Sequence, residues 1–160
     1  SFSHKKELSL EEWVSRVNLT PISISYEYDP LDVTKAKGWK SWENLSNEES
    51  NKRDLEELVK GIRGKKGRVH LHICKNVNNC PETIEKLSVL IDNEIRSNYK
   101  LWPSNYVSVL ELNWVNKNSM EKEKKDPKFL NRFKGLNKDL KKEVLKIYAT
   151  PYMNSKKRGQ

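Results

Sequence analysis

The chain has 160 residues, 33% of them charged, and a formal net charge of +9, with a mean hydropathy of -0.89. That length suits one domain with a sizeable core and excludes two large ones, and no apolar run approaches the ~18 residues needed to cross a bilayer. The basic balance selects anionic partners such as nucleic acid, an acidic protein, phosphorylated small molecules or an anionic membrane surface. Abundant Lys and Asn also follow from a biased genome, so charge alone decides nothing.

Two cysteines, Cys74 and Cys80, match neither a zinc pattern nor a disulfide framework, and a reducing, intracellular setting is the expectation. The sequence opens on Ser1-Phe2-Ser3 with no initiator methionine. This predicts a piece of a longer protein.

In chain order, Ser9 with Glu12 forms a capping-box pattern that starts a short helix ending near Val17. Pro21-Ile-Ser-Ile-Ser-Tyr-Glu-Tyr-Asp-Pro30 then reads as a buried strand. Ile22, Ile24, Tyr26 and Tyr28 share one face, Ser23, Ser25 and Glu27 the other, and Asp29-Pro30 breaks it. Lys35-Ala36-Lys37 permits a short helix before Gly38, and Ser46 with Glu49 caps a helix whose stripe is Leu55, Leu58, Val59 and Ile62, ending near Gly64. Gly67 to Cys74 alternates as a second strand, with Val69, Leu71 and Ile73 opposite Arg68, His70 and His72. Pro81 is placed to open a helix carrying Ile84, Leu87, Leu90, Ile91 and Ile95. Strand, helix, strand, helix predicts a parallel sheet. Ser104 after Pro103 marks another helix, Glu121 to Lys125 a charged linker, Asp126-Pro127 a short helix, and Leu140 to Tyr148 a last helix ended by Pro151.

His70 and His72 share a strand face as two metal ligands do, yet no third ligand of suitable spacing accompanies them, which favours a partly buried pair with local hydrogen bonds. Cys74 has no recognisable base partner and is expected to be a buried structural thiol. Gly64-Lys-Lys-Gly67 allows close approach of a phosphate to backbone amides but lacks the spacing of a nucleotide-binding loop. Tyr26, Tyr28, Trp102 and Tyr106 permit base stacking, but the aromatic motif of an RNA-recognition sheet is absent. Trp39 and Trp42, among Lys35, Lys37 and Lys40, suit either a membrane interface or packing over the sheet edge.

Several blocks in order resemble a known family. They are Pro21 to Pro30, Asp32 with Lys35-Ala36, Gly64 to His70, Ile91-Asp92 through Asn98-Tyr99, Pro103-Ser-Asn-Tyr106, and Ile147-Tyr-Ala-Thr-Pro151 with Asn154. Together they are similar to the C-terminal half of bacterial glycerol-phosphate acyltransferases, more specifically the 1-acyl-sn-glycerol-3-phosphate acyltransferases, over about residues 17 to 154. Departures fall at Leu31, where the family often carries cysteine, and at Cys74-Lys-Asn-Val.

The resemblance implies an α/β fold and transfer of an acyl chain from acyl-CoA or acyl carrier protein to a glycerolipid hydroxyl. It implies a histidine as general base, an aspartate five positions later that orients it, and a Glu-Gly motif that holds the phosphate. His4, His70 and His72 are followed at that distance by Ser9, Lys75 and Val77, and every glycine follows lysine or arginine. The catalytic blocks of the family precede its counterpart of Pro21, so no catalytic residue is expected in this chain.

The sequence thus predicts a partial, mostly parallel α/β sheet with flanking helices and a helical C-terminal extension: an acyltransferase-like part at 1–113, a helical extension at 114–152 and a basic tail at 153–160. Pro21, Tyr26, Tyr28, Asp29, Lys66, Arg68 and His70 are the expected wall of a substrate pocket. No cofactor or metal is called for. The expected partners are acyl-CoA or acyl carrier protein and a lysophosphatidate-type lipid, with peripheral contact at the inner face of the cell membrane and nucleic acid disfavoured. The alternative is a small basic module binding nucleic acid or anionic lipid headgroups.

Overall fold

A computed structural model describes residues 8–38, 46–116 and 126–156. Trp39, Trp42 and the Glu121 to Lys125 run lie outside these residues. The described elements are α1 (Leu10–Val17), β1 (Ile22–Tyr26), α2 (Asp32–Ala36), α3 (Asn47–Arg63), β2 (Val69–Ile73), α4 (Ile84–Ser97), α5 (Pro103–Glu111), α6 (Pro127–Asn131) and α7 (Lys138–Lys156). The chain is mainly helical, and its described sheet has two strands, β1 and β2.

Those strands are antiparallel, which corrects the expected parallel α/β sheet. The Cys74 amide donates to the Pro21 carbonyl at 3.0 Å, and the Glu27 amide to the Arg68 carbonyl at 2.9 Å. One strand therefore runs up as the other runs down, and Ile22 stands opposite Ile73, Ile24 opposite Leu71, and Tyr26 opposite Val69. The helical stretch between the strands returns the chain as a long hairpin connection, not as a crossover.

The chain forms two compact units, each made of two stretches: Ser1–Ser25 with His70–Lys100, and Tyr26–Val69 with Leu101–Gln160. In the first unit the core is Val14, Val77 and Leu87, flanked by Leu10, Trp13, Leu19, Cys80 and Ile91. Ser9 and Glu12 cap α1 reciprocally, as the spacing predicts, while α4 begins at Ile84 with Thr83 as its cap. Pro81 lies ahead of the helix it was expected to open.

The buried face of the strand pair in this unit is also the reverse of the expected one. Ser23 and Ser25 are 0% and 1% exposed, whereas Ile22 and Leu71 are 48% and 57% exposed, and Ile24 and Ile73 are exposed too. The small serines let a helix approach: Ser23 Oγ donates to the Ile95 carbonyl of α4 at 2.9 Å. Its hydroxyl is thereby satisfied in a buried position.

In the second unit, α5 and α2 both pack against α7. Val107, Phe129, Phe133, Val144, Leu145 and Tyr148 form its main core, and Val109, Ala149 and Tyr152 a neighbouring one. Pro127 occupies the first turn of α6, where its missing N–H costs nothing, with Asp126 as the cap. The capping box of Ser46 and Glu49 starts α3 as expected. Pro151, expected to end α7, lies inside it.

Gly64 ends α3 and fixes how the helix meets the turn after β1. A Cβ there would overlap Pro30 and stand 2.7 Å from the Lys60 carbonyl. Gly64→Ala is expected to destabilise the protein by about 1–3 kcal/mol, the usual cost of overpacking, measured as a lower urea midpoint with unchanged slope.

Candidate functional site

The polar turn after β1 is the organising feature of the second unit. Asp29 Oδ1 accepts from the Leu31 amide at 2.8 Å, closing a local turn, and its other oxygen pairs with Lys35. The Asp29 amide donates to Tyr148 Oη at 2.7 Å, and Tyr148 Oη donates in turn to Asp32 Oδ2 at 2.8 Å. Asp32 is buried and also receives Arg132 Nη2 at 2.8 Å. Burial first, and the Asp32 carboxylate second, push the Tyr148 phenol far above its ordinary range, so it stays a neutral donor.

Tyr28 lies within reach of the same cluster. Its hydroxyl donates to Asp126 Oδ2 at 3.1 Å, its ring stacks on Phe129 at 6.3 Å, and the Arg132 guanidinium sits 4.7 Å from its centre. Desolvation, then the Asp126 hydrogen bond, raise its hydroxyl above the ordinary tyrosine range.

Beside the turn, Glu27 clamps Arg68. The guanidinium gives Nη2 to Oε1 at 2.8 Å and Nε to Oε2 at 3.1 Å, and the Arg68 amide adds a bond to Oε2 at 2.9 Å. The Arg68 guanidinium also lies 5.0 Å from the centre of the buried Trp102 ring, and Ser104 Oγ donates to the Glu27 carbonyl at 2.7 Å. Gly67, at φ +63°, is required here because a Cβ would come within 2.7 Å of Glu27 Oε2.

The Arg68 hydrogen bond is the main reason the Glu27 carboxyl titrates below its ordinary range, against the opposing effect of burial. A folded value below the unfolded one adds stability above the ordinary carboxylate range, and that stability is lost as pH falls through the folded value. Unfolding measured across the range below about pH 4.3 is therefore expected to depend less steeply on pH in Glu27→Gln than in the parent chain.

Of the expected wall residues, Tyr26, Tyr28, Asp29, Lys66 and Arg68 belong to this unit, whereas Pro21 and His70 belong to the other. Tyr26 is exposed, not core as its alternation with the isoleucines suggests. The Tyr28 amide donates to the Lys66 carbonyl at 2.9 Å. Lys66 Nζ binds the carbonyls of Ile62 and Gly64 at 2.9 and 3.3 Å, which caps the end of α3 and leaves little of the ammonium for a phosphate.

In the first unit, His70 and His72 stack with ring centres 6.4 Å apart, and His70 Nδ1 is buried with no hydrogen-bond partner among the described residues. No group of three metal-ligating side chains occurs among the described residues. Cys74 is buried, with Asn98 Nδ2 3.8 Å from its sulfur.

Glu27, Asp32, Ser104, Asn105, Trp102 and Tyr148 form the polar frame; none is among the pocket-wall residues expected from sequence, and Trp102 is expected there only as a stacking surface. Each nevertheless falls inside or beside one of the blocks that carry the family resemblance, and Asn105 Nδ2 ties two of those blocks by donating to the Tyr148 carbonyl at 2.9 Å. Arg132 lies outside all of them and gave no signal.

Within this arrangement Tyr28 and Tyr148 are hydrogen-bonded to Asp126 and Asp32, Glu27 and Asp29 are paired with Arg68 and Lys35, and the second unit has no histidine in its sequence. No helix among the described residues is long and apolar enough to cross a membrane. No protein-family model, curated protein or solved structure matches the chain.

Proposed function

We propose that this chain is the C-terminal segment of a glycerophospholipid acyltransferase and forms a wall of a site whose reactive residues lie outside it. In that reaction the acceptor hydroxyl gives its proton to a histidine, the oxygen attacks the thioester carbonyl, the C–S bond breaks, and the thiol of coenzyme A or acyl carrier protein leaves with the proton. The acceptor is a glycerol phosphate or its monoacyl form, so the segment works at the inner face of the cell membrane.

One observation carries this reading. Resemblance blocks that are far apart in sequence are bonded to one another: Glu27 to Arg68 and Ser104, Asp29 and Asp32 to Tyr148, and Asn105 back to Tyr148. Their convergence on one turn supports the reading. A hydroxyl is a poor nucleophile without a base, and the chain has no His and Asp at the required spacing, so it is expected to be inactive alone.

The test is acyl transfer from acyl-CoA and from acyl carrier protein, with and without a co-expressed polypeptide bearing the His, Asp and Glu-Gly blocks. Activity is expected only in the combination. Robust transfer by the lone chain would place the reactive groups inside it after all. An inactive but assembled pair, together with salt-sensitive binding of DNA or RNA, would favour the basic binding module instead.

A further inference from the structure

The 17 residues of α3 include none that is buried. Its apolar stripe of Leu55, Leu58, Val59 and Ile62 is 61%, 59%, 41% and 69% exposed. A helix of this length draws most of its stability from packing one face, and this face is left largely open, with Leu58 and Ile62 bordering a groove shared with Tyr26 and Leu31.

Charge along the helix is segregated. In the first part Glu48, Glu49, Asp54, Glu56 and Glu57 outnumber Lys52 and Arg53, whereas from Leu58 through Arg68 every charged residue is a cation. Lys60, Arg63 and Lys65 are exposed, Lys60 and Arg63 line one shallow groove with Leu55, Val59 and Glu56, and Lys60 Nζ also donates to Thr34 Oγ1 at 2.9 Å. Arg68 is set aside because Glu27 holds it, and Lys66 because it caps the helix.

We propose that the C-terminal half of α3, with the Gly64-Lys65 turn, is the surface through which this chain meets an anionic lipid bilayer. Val59 and Ile62 enter the boundary between headgroups and acyl chains, and Arg63 and Lys65 lie against the lipid phosphates. The acidic first turns tilt away from the surface. A zwitterionic bilayer offers the cations no net charge, and an uncharged protein groove offers them nothing, so charge complementarity selects the anionic surface. The inference deepens the acyltransferase reading by naming where the chain meets its lipid, and it rests on that reading for the choice of membrane. Its test needs no acyl transfer, so the two can fail separately.

The experiment is co-sedimentation of the full chain with vesicles of phosphatidylcholine alone and of phosphatidylcholine with phosphatidylglycerol. Binding is expected only to the anionic vesicles and is expected to weaken as salt rises. Ile62→Glu, and separately the double change Arg63→Glu with Lys65→Glu, should each reduce it by about tenfold or more, with unchanged helix content by circular dichroism. These side chains are solvent-exposed, so neither variant threatens the fold. Equal binding to both vesicle types, or binding untouched by either variant, would overturn the proposal. So would a concentration-dependent dimer abolished by Ile62→Glu, because a second copy would then be the occupant.

Discussion

Asp32→Ala is expected to destabilise the protein by about 3 kcal/mol, one of the largest effects open to a single polar substitution here. Asp32 is buried, and its carboxylate holds Arg132 Nη2, Tyr148 Oη and, through Oδ1, the Val33 amide at 2.7 Å. Removing it strands the Arg132 charge and leaves a buried phenol without its acceptor. Breaking such a pair costs about 3–5 kcal/mol, and the lower end applies because the Arg132 side chain is 29% exposed and water takes over part of its solvation. Tyr148→Phe deletes only the hydroxyl, with its two bonds to Asp29 and Asp32, and should cost about 1–2 kcal/mol. Chemical unfolding of the two variants and their double mutant checks the ranking. A double mutant less destabilised than the sum of the singles is expected, because the two residues share one hydrogen bond.

The same network explains what the sequence could and could not reveal. Capping residues act within a turn of chain, so Ser9 with Glu12 and Ser46 with Glu49 were readable from their spacing. Alternation in Ile22-Ser-Ile-Ser-Tyr26 correctly signalled a strand and two unlike faces. It carried no information about which face meets a helix, and α4 lies on the serines because their small side chains admit it and a main-chain carbonyl takes the Ser23 hydroxyl. Hydrophobicity pointed the other way. Strand direction was equally hidden: a helical stretch between two strands serves a parallel crossover or a long antiparallel return, and only the pairing of Pro21 with Cys74 and Glu27 with Arg68 decides it.

Pro151 misled for a related reason. Proline disfavours a helix interior by removing one N–H and crowding the carbonyl four residues back. Near the end of α7 the cost is outweighed, since Tyr148, Ala149 and Tyr152 on either side of it are all buried. The polar frame was partly legible, because Asp29, Asp32, Ser104 and Tyr148 all stood in the resemblance blocks. Its geometry was not: Arg132 is 100 positions from Asp32, and no local pattern reports such a pairing.

Phe129→Ala should be the most damaging apolar substitution, at about 3–5 kcal/mol. Phe129 is fully buried and meets Phe133 and Tyr148 edge-on at 5.1 and 4.7 Å, with Tyr28 stacked at 6.3 Å. Truncation opens a cavity among three rings and withdraws the support that aims the Tyr148 hydroxyl at Asp32, so the polar turn should loosen with the core. Ile73→Thr makes the informative contrast. It also removes apolar surface, yet it keeps a β-branched strand former on a face that is already in water, and is expected to change stability by less than about 0.5 kcal/mol. If the urea midpoints separate in this way, the apolar residues of the chain fall into two sets. Phe129, Phe133 and Tyr148 hold the fold, whereas Ile22, Ile24, Leu71 and Ile73 contribute little to it. Exposed apolar surface of that kind favours association, so Leu71→Lys should raise the concentration at which the isolated chain stays monodisperse in light scattering.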